Sequence, residues 1–278
     1  MIWKLRHEHK IGLLIEIADI PRSTYYYYSK QFDHPKPDRY AEIKTEIRRI
    51  YEESKGRYGY RRITKELKKK FVINHKTVQK LMRKMGIFCR VRMHKYHSYK
   101  GNVGRIAPNL LKRNFKADQP NQKWVTDVTE FALFGIKLYL SPIIDLYNGE
   151  VISYNLSRHP NLNQVTDMLE KAFSKIPDNT NLILHSDQGW QYQHKHYQKM
   201  LKEKGIRQSM SRKGNCLDNA CAENFFGLLK TELLYLQEFT SVEHFISELH
   251  EYIEWYNNKR IKLGLGGMSP VQFRLSAA

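Results

Sequence analysis

Cysteine is scarce in this chain, long apolar runs are missing, and acids are thin in its first two-fifths. Three cysteines, Cys89, Cys216 and Cys221, stand among 278 residues. They form no CxxC pair and no even framework, which excludes a disulfide scaffold and a cysteine-rich zinc site. His94 and His97 have no cysteine pair to complete a tetrahedral centre. The longest apolar stretch near the start, residues 11–20, is short and interrupted by Glu16 and Asp19, so no membrane span is expected. No small-residue cleavage site follows an uncharged apolar core, so no signal peptide is expected either. These absences describe a reduced, cytoplasmic protein with no membrane partner.

The shortage of acids is local. Residues 1–118 hold 30 Lys and Arg against 11 Asp and Glu, whereas residues 119–278 hold 17 of each. The whole net charge of +19 therefore sits at the front of the chain. From Lys55 to Lys100 there are 16 basic residues and one acid, Glu66. Solubility needs a net charge of only about 2–8. A neutral half joined to a strongly basic half is the pattern of an enzyme or scaffold attached to a polyanion-binding module, with nucleic acid as the first candidate.

Residues 1–37 read as a helical arm containing the run Tyr25–Tyr28, ending at the break His34-Pro35-Lys36-Pro37. The four tyrosines suit packing against a neighbouring helix or stacking on bases. Residues 38–88 read as three short helices. The first carries Ile43, Ile47, Ile50 and Tyr51; the second carries Ile63, Leu67 and Phe71. The third starts after Asn74, an N-cap, and stops at Gly86. The short turn between the last two is that of a helix-turn-helix unit. Lys76, Gln79, Lys80, Arg83 and Lys84 would line the outer face of its second helix, placed to meet phosphates and base edges. Residues 89–118, with Arg90, Arg92, Lys95, Lys100 and Arg105 among aromatic residues and histidines, read as a basic linker along the DNA backbone.

At residue 119 the pattern changes. Residues 123–131, 137–146 and 150–157 look like strands, with Asn148-Gly149 as a hairpin turn. A helix carrying Val165, Met168, Leu169 and Phe173 follows. The apolar strand Leu182-Ile183-Leu184 then leads into His185-Ser186-Asp187-Gln188-Gly189. A further helix, a short strand (206–210), a long helix (218–236) and a last helix (242–258) complete residues 119–278. The expected fold is α/β: a mixed sheet flanked by helices, behind an all-α module.

Three acids fall on three different elements. Asp127 lies in the first strand, Asp187 just past the apolar strand, and Glu223 near the start of the long helix. Singly, each has an ordinary reading: a strand-end Asp is usually a turn or cap, and a helix Glu is usually solvated. Together they suit phosphodiester chemistry, in which carboxylates hold two divalent cations about 3.5–4 Å apart on a scissile phosphate. Magnesium takes few carboxylates, filling its shell with water and phosphate oxygens. Asp145 is set aside, and Asp218, five residues before Glu223, suits a cap or first-turn role. His185 could orient the site or simply pack within its strand.

The words Trp124-x-x-Asp127, His185-Ser186-Asp187-Gln188-Gly189 and Asp218-Asn219-Ala220-x-x-Glu223 resemble the acidic triad of the insertion-sequence three family of transposases. Ser209-Met210-Ser211, Asn224-Phe225-Phe226, Tyr256-Asn257-x-x-Arg260 and Ser269-Pro270 fit as well. Gly56-Arg57-Tyr58-Gly59-Tyr60-Arg61-Arg62-Ile63 resembles that family's helix-turn-helix module. One departure is Lys262, where many members have His. The resemblance implies an RNase H-like integrase core in residues 119–278. It also implies the triad Asp127, Asp187 and Glu223 as catalytic metal ligands, and two Mg2+ (or Mn2+) ions. Lys230, seven residues after Glu223, would lie on the same helix face, about 10 Å along the axis, and meet a neighbouring phosphate. Arg260 is a further expected DNA contact. The implied activity is cleavage at element ends followed by 3′-hydroxyl strand transfer, on terminal repeats and target DNA. The implied assembly is a homo-oligomer on DNA in the bacterial cytoplasm, with the nucleoid. The implied second-frame subunit acts fused to, or associated with, an upstream-frame product; no leucine zipper is legible here. The competing expectation is a catalytically inactive DNA-binding regulator derived from a transposase.

Overall fold

The computed structural model describes residues 2–33, 38–91, 106–212 and 216–276. The expected break at His34–Pro37 and the linker residues Arg92, Lys95, Lys100 and Arg105 lie outside them. The chain divides into two compact units, Met1–Ile50 and Tyr51–Ala278.

In the first unit the expected helical arm is made of three helices: α1 (Ile2–Leu5), α2 (Ile11–Ile17) and α3 (Arg22–Asp33). The tyrosine run is helical and lies within α3. Tyr25 is buried, while Tyr26, Tyr27 and Tyr28 are exposed. Helix α4 (Ala41–Glu53) begins in this unit and ends in the next.

The second unit opens with α5 (Tyr60–Leu67) and α6 (His75–Lys84). Asn74 caps α6 as expected, its Oδ1 accepting from Lys76 N at 2.9 Å. Gly86 closes it at φ +69°, a left-handed turn that suits glycine. Six strands follow: β1 (Lys123–Thr126), β2 (Thr129–Leu133), β3 (Ile136–Asp145), β4 (Val151–Ser157), β5 (Ile183–Ser186) and β6 (Arg207–Met210). The helices are α7 (Leu162–Phe173), α8 (Trp190–Gln193), α9 (Lys195–Glu203), α10 (Ala220–Leu229), α11 (Val242–Asn258) and α12 (Pro270–Ser276). β1 and β2 pair in succession along one edge of β3, β4 pairs along its other edge, and β5 and β6 follow beyond β1. Pairs around β3 are antiparallel; β1–β5 and β5–β6 are parallel, joined through helices.

The expected first strand, 123–131, is split at Asp127-Val128. The register does not slip there. Thr126 faces Ile143 and Thr129 faces Leu140, which sets Asp127 against Pro142. Proline has no N–H to give a ladder, so the pairing lapses at this point. Val128 N turns instead to Asp127 Oδ1, at 2.8 Å.

Alternating side chains build a core on each face of the sheet. Val125, Leu140 and Ile144 pack with Phe225, Phe226 and Leu229 of α10 and Phe245, Leu249 and Tyr252 of α11. Trp124, Ile143 and Leu184 pack with Val165, Met168 and Leu169 of α7 and Leu201 of α9. The second half of the expected linker belongs to this body: Leu111 is buried in the first core, and Leu110 N donates to Ser209 Oγ at 2.8 Å. No helix among the described residues is long and apolar enough to cross a membrane.

Candidate active site

Parallel pairing brings two acids to one sheet edge. Lys123, Trp124 and Val125 face Ile183, Leu184 and His185; two residues further on, the same register sets Asp127 against Asp187. Parallel neighbours are about 4.8 Å apart, so two carboxylates meet where both strands end. Asp187 Oδ1 accepts from Gly189 N at 2.9 Å, as Asp127 Oδ1 does from Val128 N. Each acid thus has one oxygen held by backbone. Glu223 enters from the first turn of α10.

The three side chains feel one another. Burial, then the Asp187 charge and less strongly that of Glu223, push the Asp127 carboxyl well above its usual range, against the Val128 N–H. Burial raises Asp187, opposed by the Gly189 N–H, while burial and Asp187 raise Glu223. The buried Asn219 amide, with no hydrogen-bond partner of ordinary geometry, lies beside Asp127 and tempers its rise. All three acids are partly open to solvent. Among the described residues, no three acidic, His or Cys side chains already converge tightly enough to cage an ion.

The start of α10 is held by Asp218, whose role exceeds the cap expected of it. Its buried carboxylate accepts from Asn109 Nδ2 (3.0 Å), Arg113 Nε (3.0 Å) and Arg212 N, Nε and Nη2 (3.1, 2.9 and 3.1 Å). The Arg212 hydrogen bond is the main cause holding its pKa far below the carboxylate range. Asp218 therefore ties residues 109–113 and the end of β6 to the 3-10 turn Cys216–Asn219 that feeds α10. His185 is packed: fully buried, with Nδ1 2.7 Å from Ser209 Oγ. Asp145, set aside above, accepts from Asn121 N and Tyr147 N and pairs with Arg274.

The long helix expected over 218–236 is not uniform. After α10 the chain makes a π turn over Lys230–Leu234, with Tyr235 N donating to Lys230 O at 2.9 Å. Lys230 opens the widening, its own N–H still donating to Phe226 O and Gly227 O of α10. Its ammonium lies 5.9 Å from the Phe131 ring centroid, and burial lowers its pKa while Glu130 partly restores it. The π turn carries Glu232 inward.

That inward Glu232 corrects the expectation for Arg260. Arg260 is 2% exposed and donates to both Glu232 oxygens, at 2.7 and 2.5 Å. A guanidinium enclosed this way is a structural cation and does not reach DNA. Arg57 Nε donates to Glu232 O at 2.6 Å and stacks 4.7 Å from the Trp255 ring. Tyr58 OH donates to Lys259 O, and Arg62 Nε to Ile261 O. The Gly56–Ile63 word therefore seats α5 on the α11 end of the core. The expected DNA face of α6 is different: Lys76, Gln79, Lys80, Arg83 and Lys84 are all exposed.

A mixed sheet of this order with two acids at adjacent strand ends and a third on the following helix defines a protein with an RNase H-like integrase core. Family models agree: Integrase core domain matches residues 117–216 and, in a second model, 223–276, and HTH-like domain matches 38–95. The chain is 53% identical to the putative transposase InsK for insertion sequence element IS150 of Escherichia coli K12, across 98% of this chain and 95% of that one. It is 38% identical to the transposase InsF for insertion sequence IS3A of the same strain, across 79% and 77%. The chain belongs to the insertion-sequence three family of transposases, as a second-frame subunit. Among solved structures, the simian T-cell lymphotropic virus intasome in complex with PP2A regulatory subunit B56 gamma is similar at 16% identity and TM-score 0.48, covering 82% of this chain and 74% of that one.

Proposed function

We propose that this subunit cleaves DNA at the ends of its element and joins the freed 3′-hydroxyl to target DNA. The observation that carries the reading is the meeting of Asp127, Asp187 and Glu223 at one sheet edge, all three carboxyls raised by burial, and those of Asp127 and Glu223 raised further by the Asp187 charge. Among the described residues none of the three is ion-paired. Mutually repelling carboxylates with free oxygens and partial solvent access fit hard divalent cations such as Mg2+ or Mn2+. The looseness of the trio also fits magnesium, which completes its shell with water and substrate phosphate. Two bound cations would supply activation of the attacking oxygen and stabilisation of the leaving one.

The protein's own part is placement. Val128 N and Gly189 N fix one oxygen of each Asp, and Asp218 sets the origin of the helix that presents Glu223. Lys230 gives a point charge to a phosphate next to the reacting one. Lys76, Lys80, Arg83 and Lys84 on α6 hold the DNA away from the chemistry. DNA ends and target are the substrates, the active species is an oligomer on DNA, and the upstream-frame product joins as fusion or partner. The place of action is the cytoplasm, at the nucleoid. The inactive-regulator reading requires a broken triad, and all three acids are present.

The test is joining of a labelled pre-cleaved end to plasmid. Asp127→Asn, Asp187→Asn and Glu223→Gln each abolish magnesium-dependent joining while DNA binding persists. Near-normal joining by any one of them removes that residue from the site.

A further inference from the structure

Beside the triad, on the Asp127 and Asp187 side, the surface opens into a groove of about 500 Å3 including its open mouth. Its lining includes Val128, Glu130, Gln164, Val165, Trp190 and Gln191. Two of these fix its position relative to the chemistry. Val128 directly follows Asp127, and Trp190 directly follows Gly189, whose N–H holds Asp187. A phosphate held on cations at the two acids would therefore bring an adjoining nucleotide within reach of this groove.

Trp190 is 51% exposed, unlike Trp124, which is fully buried. A half-bare indole is an unusual residue to leave beside polar chemistry. The groove floor, Val128 and Val165, is apolar. Gln164 is buried and already committed, its Nε2 donating to Tyr139 O. The amide of Gln191 stands at the rim with no protein hydrogen bond among the described residues. Among the described residues no Lys or Arg lines the groove, and its one charged side chain is Glu130, already paired with Lys137 at 3.1 Å. Such a lining offers a phosphate no free cation and suits something flat and neutral. An indole face, an apolar floor and a free amide suit an unstacked nucleobase, which offers a π-face and a hydrogen-bonding edge.

We infer that this groove binds a base unstacked from the duplex next to the reacting phosphate, with Trp190 as its stacking platform. The inference rests on the strand-transfer reading of the triad, and it adds a site that grips the strand by a base instead of by charge. Unstacking a base from duplex DNA is unfavourable, and a stacked indole offsets this while fixing the phosphate in the attack geometry.

The test uses the full chain and two substrates, a pre-cleaved element end and a target duplex, each with 5-iodouracil placed singly through the three nucleotides on either side of the reacting phosphate. Photo-cross-linking to the peptide holding Trp190, at one or two positions only, is the expected result, and the reacting substrate tells which DNA supplies the base. Joining by Trp190→Ala falls about tenfold or more, while Trp190→Phe stays within about threefold of wild type. Wild-type joining by Trp190→Ala, with cross-links mapping elsewhere, overturns the inference and leaves the strand-transfer reading intact. Failure of the wild-type chain to join even when supplied with its upstream-frame product overturns the strand-transfer reading, and the cross-link map then still decides whether the groove takes a base. Loss of oligomer in Trp190→Ala without loss of the cross-link assigns the indole to a contact between copies and overturns it too.

Discussion

Arg260 offers the clearest contest between two kinds of role. Replacing it by Ala leaves the Glu232 carboxylate, 1% exposed, with only the Tyr252 hydroxyl at 3.1 Å and Arg62 at 4.0 Å. Removing one partner of a buried ion pair costs about 3–5 kcal/mol. At roughly 2–4 °C per kcal/mol for a chain of this size, the melting temperature falls by about 6–20 °C. Replacing both partners, Arg260→Met with Glu232→Leu, removes the stranded charge, so the double variant loses less than the two singles added together. A DNA contact predicts the opposite pattern: an unchanged melting temperature, and a log–log salt slope of DNA binding reduced by about 0.9. Calorimetry and filter binding at several salt concentrations separate the two. A stable Arg260→Ala protein with a shallower salt slope would falsify the interior assignment.

Three further outcomes are expected. The charged triad costs stability in the metal-free protein: because its carboxyl pKa values are raised on folding, the penalty is absent at low pH and grows as pH climbs through and above the ordinary carboxylate range. Asp127→Asn should therefore raise the metal-free melting temperature at pH 7 by about 2–6 °C and abolish the further rise that magnesium gives the wild type; an unchanged or lower melting temperature contradicts this. Asp218→Asn, which keeps shape but loses charge, should slow joining by about tenfold to a hundredfold through displacement of Glu223. It should also speed hydrogen exchange over residues 216–223, with DNA affinity held. Since the Asp218 pKa is depressed, its contribution to wild-type stability is complete above about pH 4 and fades below it. Lys230→Ala should weaken DNA binding and joining, by the larger factor at low salt, Lys230→Arg should restore much of both, and equal rates for all three proteins would return Lys230 to the surface.

The primary structure alone carried the acids, the strand–helix alternation and the position of the basic half. Those features depend on local spacing: helix periodicity places Val78, Leu81 and Met82 inward on α6, and Asn74 caps it without help from elsewhere. The three acids were legible because their flanking words are specific as a set, and sheet pairing then set Asp127 against Asp187. What stayed hidden was the direction each cation faces. Counting charge gives Arg57, Arg62 and Arg260 the same sign and weight as Lys80 or Arg83. Only tertiary packing sends the first group against Glu232, Trp255 and the α11 end, and leaves the second in solvent. The inward turn of Glu232 depends on a π turn that no 3.6-residue periodicity announces. The break at Asp127 needed Pro142, a residue 15 positions away whose missing N–H matters only once β3 is paired. The linker boundary moved for the same reason: Leu111 and Asn109 look polar-flanked and local in one dimension, and become core and anchor only when Asp218 and Ser209 arrive beside them. Short-range physics is written in neighbouring residues; burial of charge is decided by partners from 28 residues away, as for Arg260 and Glu232, to 175, as for Arg57 and Glu232, and only the folded chain brings them together.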